Sequence, residues 1–124
     1  MTISPTPPLY ELLNMPDLLA RIDDDRELLQ ELFQLFRVEF PRLQVELQEA
    51  LATKNMQQTV KTAHMLKGML ANLSFECAAT AAETLEHMAV MEDQPGTERA
   101  LVDFNSKVLS LLPSLNAYLA KQKL

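Results

Sequence analysis

His64, Lys67 and Gly68 stand within the stretch Ala63-His64-Met65-Leu66-Lys67-Gly68. Read as helix, they fall at i, i+3 and i+4 and share one strip of surface. An imidazole with one unprotonated ring nitrogen is a nucleophile at neutral pH. A lysine ammonium one turn on is a point charge suited to phosphate oxygens. The glycine works against the helix, because inside one it costs about 1 kcal/mol relative to alanine. Leu66, Leu70 and Leu73 nevertheless carry the helical pattern straight past it. A bare backbone beside a nucleophile and a cation suits a group that takes a phosphoryl from a large docking partner. Taken singly, each residue has a plainer explanation: a solvated histidine, a surface lysine, or a glycine marking close approach of two helices.

The helix carrying this strip is predicted from Met56 to about Leu73, capped by Asn55, with Met56, Thr59, Ala63, Leu66, Leu70 and Leu73 as its core face. His64 then points roughly 130° away from the centre of that face, toward solvent. Before it, Thr2 to Leu9 is proline-rich and reads as a tail, so residues 1–13 are set apart from a single domain over 14–124. Asn14-Met15-Pro16-Asp17 starts a short helix running to about Ile22, and Asp23-Asp24-Asp25 starts a long one. Leu28, Leu32, Leu35, Phe36, Phe40, Leu43, Leu47, Ala50 and Leu51 form the expected buried stripe of that long helix, with a kink at Pro41. Ser74 is expected to cap a fourth helix with the stripe Phe75, Ala78, Ala82, Leu85 and Met88, its small residues allowing a close neighbour. Pro95-Gly96-Thr97 opens the last helix, with Leu101, Phe104, Val108, Leu111, Leu115 and Leu119 on its inner face and a bend at Pro113. No strand-like alternation competes with these patterns. The expected fold is all-α, an antiparallel four-helix bundle with a short additional N-terminal helix.

Composition narrows the chemistry. A chain of 124 residues, 48% hydrophobic, suits one domain with an ordinary core. Its single Cys77 forms no internal disulfide and is expected to be a small core residue. There is no signal pattern or long apolar run, so a cytoplasmic protein without a membrane span is expected. A formal net charge of −6 disfavours nucleic acid and anionic membranes as partners. With Gly68 and Gly96 the only glycines, a P-loop, a dinucleotide fingerprint and a kinase glycine loop are all excluded. No kinase activity and no cofactor are expected.

Ala63-His64-Met65-Leu66-Lys67-Gly68, followed by Ala71-Asn72-Leu73 and then Glu83-Thr84-Leu85-Glu86, resembles the histidine-containing phosphotransfer (HPt) domain of multistep phosphorelays. Phe36 to Leu51, with a proline after Phe40 and a closing Ala50-Leu51, is similar to that family's second helix, and the likeness covers about Asp17 to Met88. The resemblance implies that His64 accepts the phosphoryl group, that Lys67 is the lysine beside it, and that Gly68 leaves space for the partner. Where the family often has glycine, this chain has Ser74, and Met65 and Met69 stand where smaller polar residues are common.

The chemistry also follows from the side chains. A neutral imidazole nitrogen attacks an acyl phosphate such as the phospho-aspartate of a receiver domain, and the phosphoramidate formed can be passed to another aspartate. Positioning and charge compensation dominate such transfers. Lys67 supplies charge for the phosphoryl oxygens, and Lys61, one turn back, can reinforce it. Glu83 or Glu86 could accept from the other ring nitrogen and fix the tautomer. Lys61, Met65, Met69 and Ala71 are the candidate partner-binding residues, methionine being suited to an adaptable docking surface. The Mg²⁺ of the transfer would belong to the receiver, so no metal is assigned to this chain. The expected protein is a monomeric phosphocarrier whose partners are response-regulator receiver domains, a hybrid histidine kinase, or both. Three other readings compete. A metal-binding bundle would want Glu-x-x-His pairs, which neither His64 nor His87 provides. A kinase dimerisation helix would place an acid after the histidine, where Met65 stands. A receiver- or kinase-binding module that carries no phosphate differs from the phosphocarrier only in the transfer itself.

Overall fold

A computed structural model describes residues 6–122. They form a 3₁₀ turn at Leu9–Glu11 and six helices: α1 Met15–Arg21, α2 Arg26–Ala52, α3 Met56–Asn72, α4 Glu76–Val90, α5 Gln94–Val108 and α6 Leu111–Gln122. No strand occurs among the described residues. The long helices follow one another through short turns and pack in sequence, α2 on α3, α3 on α4 and α4 on α5, while α6 returns to α2. The result is the helical bundle expected from the periodicity.

Each start has a local cause. The side chains of Asn14, Asp25, Asn55 and Asp93 accept from the backbone N–H groups of Asp17, Leu28, Gln58 and Gly96 at 2.9–3.1 Å. These bonds satisfy donors that have no partner within the helix. Between α2 and α3, α3 and α4, and α4 and α5 the chain makes the same turn three times. Lys54, Ser74 and Glu92 adopt left-handed φ of 56°, 61° and 55°. The next N–H reaches back to the carbonyls of Ala50, Leu70 and Met88. This is the Schellman geometry that glycine usually serves. Ser74 is therefore not the cap of α4: Phe75 occupies that position without a side-chain cap bond and is instead fully buried. The Ser74 hydroxyl donates to Asp17 Oδ2 at 2.8 Å, and its carbonyl accepts from the Asn14 N–H at 2.9 Å, clasping α1 to the α3–α4 turn.

The core of α2 steps through Leu29, Phe33, Phe36, Phe40, Leu43, Leu47 and Ala50, alternating four and three residues. The expected stripe was in phase from Phe36 onward but not before it. Leu28 and Leu35 are exposed, and Leu29 and Phe33 take the inward positions. Phe33 fills the core against Tyr118, with ring centroids 5.7 Å apart, and Phe36 stacks on Phe40 and Phe75. One helix runs unbroken through Pro41. The last helix is two: the chain breaks after Val108 and resumes at Leu111. Pro113 lies in the first turn of α6, where its missing N–H deprives the helix of nothing. The inward residues Phe104, Val108, Leu111, Leu115 and Leu119 are nonetheless those the periodicity selected.

The stretch before Asn14 contributes to the same core. Leu9 and Leu13 are buried, and Ser114 Oγ donates to the Pro7 carbonyl at 2.6 Å. Residues 1–5 of the predicted tail lie outside the described residues. Cys77 is exposed rather than part of the core. No helix among the described residues is long and apolar enough to cross a membrane.

Candidate functional site

α3 turns Thr59, Thr62, Ala63, Leu66 and Leu70 inward, and this leaves His64, Met65, Gly68 and Ala71 on its outer surface. The His64 side chain is 65% exposed. α4 lies close against α3 because its facing positions are Ala78, Ala81, Ala82 and Ala89 around Leu85. That closeness brings Glu86 across to α3. Its Oε2 lies 2.9 Å from His64 Nδ1 and its Oε1 lies 3.0 Å from Lys67 Nζ. A carboxylate oxygen only accepts, so Nδ1 donates in this contact, and in the neutral ring the lone pair is then on Nε2.

Glu86 is 19% exposed and Lys67 29%. Partial burial pushes the Glu86 carboxyl up, but hydrogen bonds from Lys67 and His64, with their charges, outweigh it and hold it below its ordinary value. Of the two carboxylates proposed to orient the ring, Glu86 makes the contact. Glu83 lies exposed on the same helix without an ion pair or hydrogen bond to His64.

A methyl group built on Gly68 would meet nothing within 4 Å. The glycine therefore serves no helix–helix approach, and the space it leaves opens outward. Lys61 is exposed one turn before His64. Met65 is exposed, whereas Met69 is half-buried and lines a groove of about 240 Å³ with Leu32, Leu35, Phe36 and Asn72. By helical geometry this groove flanks α3 on the side away from α4, with Gly68 and Met65 between it and His64. Ala71 ends the strip, and its carbonyl accepts from Arg21 Nη1 at 3.1 Å. Arg21 also pairs with Asp17 at 3.2 Å, which ties the Ser74 clasp to this surface. Sequence reasoning missed Arg21, Leu32 and Leu35 as residues of this face. The only signal for Leu35 was a leucine out of phase with the Phe33–Phe36–Phe40 stripe.

The family model of the Hpt domain matches residues 31–120. The chain belongs to the Hpt domain family. The match takes in α2 from its second turn through most of α6, and so includes His64, Lys67, Gly68 and Glu86, while Arg21 lies before it. Phosphotransferase RcsD of Escherichia coli (strain K12) is 41% identical to this Hpt domain over 61 residues, 49% of the chain. That stretch is 7% of RcsD, so the chain spans a small part of that relative's length. No solved structure matches the chain. Membership of the Hpt domain family supports a histidine-phosphotransfer role in phosphorelay signalling.

Proposed function

We propose that His64 accepts a phosphoryl group from the aspartate of one receiver domain and donates it to that of another. The observation that carries this reading is the half-open imidazole. Nδ1 is held by Glu86, the rest of the ring is open to solvent, and Gly68 one turn on adds no side chain to the same strip. The Nε2 lone pair forms the N–P bond, the P–O bond to the donor aspartate breaks, and the electron pair leaves as its carboxylate. Glu86 keeps the ring proton on Nδ1 and offsets the positive charge that develops on the ring. Lys67 supplies a positive charge one turn from the nucleophile.

The receiver is proposed to dock over the outward face of α3. Lys61, Met65, Gly68 and Ala71 lie beneath it, and the groove beside Met69 takes an apolar side chain from the partner. A receiver-bearing hybrid kinase presents the same chemistry as a free receiver. The test is intact mass after mixing the chain with phosphorylated receiver domains. A gain of one acid-labile phosphoryl group, absent from a folded His64→Ala variant, is expected. Binding without that gain would favour an interaction module that carries no phosphate.

A further inference from the structure

Glu86 divides its two oxygens between His64 and Lys67, at 2.9 Å and 3.0 Å. Lys67 in this arrangement is turned back onto α4 and is neutralised there, not extended over Nε2. Building on the phosphocarrier role proposed above, we infer that Glu86 is a shared counter-ion that holds Lys67 off the phosphoryl site until the N–P bond forms. The exchange of partners that follows sets how long the phosphohistidine lasts.

The charges before and after transfer require this exchange. Before it, the ring is neutral and the ammonium is paired with Glu86. When Nε2 bonds phosphorus and Nδ1 keeps its proton, the ring becomes cationic and a phosphoryl dianion stands one turn from Lys67. The ring now needs the carboxylate, and the phosphoryl oxygens need the ammonium. Glu86 can serve the ring with Oε2 throughout, while Lys67 moves from Oε1 to the phosphoryl group. As long as Glu86 competes for Lys67, the phosphoryl group receives only part of that charge. A ring that keeps its Nδ1 proton is also the better leaving group. Both effects keep the phosphohistidine ready to pass its load on, as suits a carrier rather than a store.

Glu86→Gln separates the two contacts. The amide oxygen can still accept from Nδ1–H, but the neutral side chain cannot hold the ammonium. The full chain is phosphorylated with phosphoramidate, and the half-life of the phosphohistidine is followed by ³¹P NMR, with circular dichroism as the check on folding. Glu86→Gln is expected to lengthen the half-life about fivefold, the scale of exchanging one charge-assisted hydrogen bond at a partly exposed site. The same substitution made in a Lys67→Ala background should lengthen the half-life clearly less, because the part of its effect that runs through Lys67 is gone and only the part exerted on the ring remains. An unchanged half-life, or equal lengthening with and without Lys67, overturns the shared counter-ion while leaving His64 as carrier. A wild-type chain that takes no acid-labile phosphate from phosphoramidate or from phosphorylated receivers overturns the carrier reading, and this inference with it.

Discussion

The two glycines occupy opposite environments, and the difference can be measured. At Gly68 a Cβ would meet nothing within 4 Å, so the helix carries the cost of glycine with no return from its own packing. Gly68→Ala is expected to raise stability by about 0.5–1 kcal/mol in urea unfolding. Gly68→Gln should leave the fold in place but slow phosphoryl transfer at least about tenfold, since a long side chain there stands in the partner's path. At Gly96 the same Cβ would lie 2.5 Å from Asp93 Oδ2 and 2.9 Å from Met88 Sδ. Gly96→Ala should therefore destabilise by about 1–3 kcal/mol, because it disturbs the carboxylate that caps α5. Equal responses at the two positions would remove the argument that Gly68 is kept for an external partner. Glu86 adds a pH signature. Its folded-state pKa is depressed, so its contribution is complete above the unfolded value of about 4.3 and is lost as pH falls through the folded value. The stability of Glu86→Gln should fall less steeply than that of the wild type between about pH 5 and pH 3, as read by denaturation at a series of pH values.

The elements show which sequence signals were sufficient. Asn14, Asp25 and Asn55 mark helix starts by side chains that bond the backbone three residues on, and such bonds are local enough to be read from composition. The turn signal was harder to read, because Lys54, Ser74 and Glu92 fill left-handed positions without a glycine to announce them. Ser74 is favoured at a helix start and equally able to bond across to Asp17, and only the tertiary contact decides between these roles. The phase of α2 was ambiguous for a similar reason. Leu28 and Leu35 are as apolar as Leu29, and the packing of Phe33 against Tyr118 selects the register. These turns give a test at their own scale. Lys54→Gly should stabilise by about 0.5 kcal/mol, since relief of the left-handed penalty exceeds the added entropy of the unfolded chain. Ser74→Gly should stay within about ±0.5 kcal/mol of the wild type, because the same relief is offset by loss of the hydroxyl's bond to Asp17. A clear gain from Ser74→Gly in thermal or urea unfolding would mean that the hydroxyl's bond to Asp17 contributes nothing.

The bundle as a whole converts a short motif into a surface. His64, Lys67 and Gly68 could be placed on one strip from spacing alone, but the choice between Glu83 and Glu86 depends on how α4 is rotated against α3. Ala78, Ala81, Ala82 and Leu85 fix that rotation by packing, and Glu86 is thereby brought to the ring. The groove on the other flank of α3 depends likewise on the phase of α2, which puts Leu32 and Leu35 beside Met69 rather than in the core. Leu35 is 59% exposed, so its burial contributes little to folding. Leu35→Glu should change stability by no more than about 0.5 kcal/mol. If the proposed receiver lays an apolar side chain into this groove, the same substitution should weaken its binding by about tenfold or more, through loss of buried contact and the cost of covering a carboxylate. Calorimetric titration with the unphosphorylated receiver reads the binding, and phosphoramidate labelling of His64 reads the nucleophile without the partner. Weakened binding with unchanged phosphoramidate labelling would place Leu35 in docking alone. Unchanged binding would confine the receiver to the α4 side of His64, and the groove would then play no part in recognition.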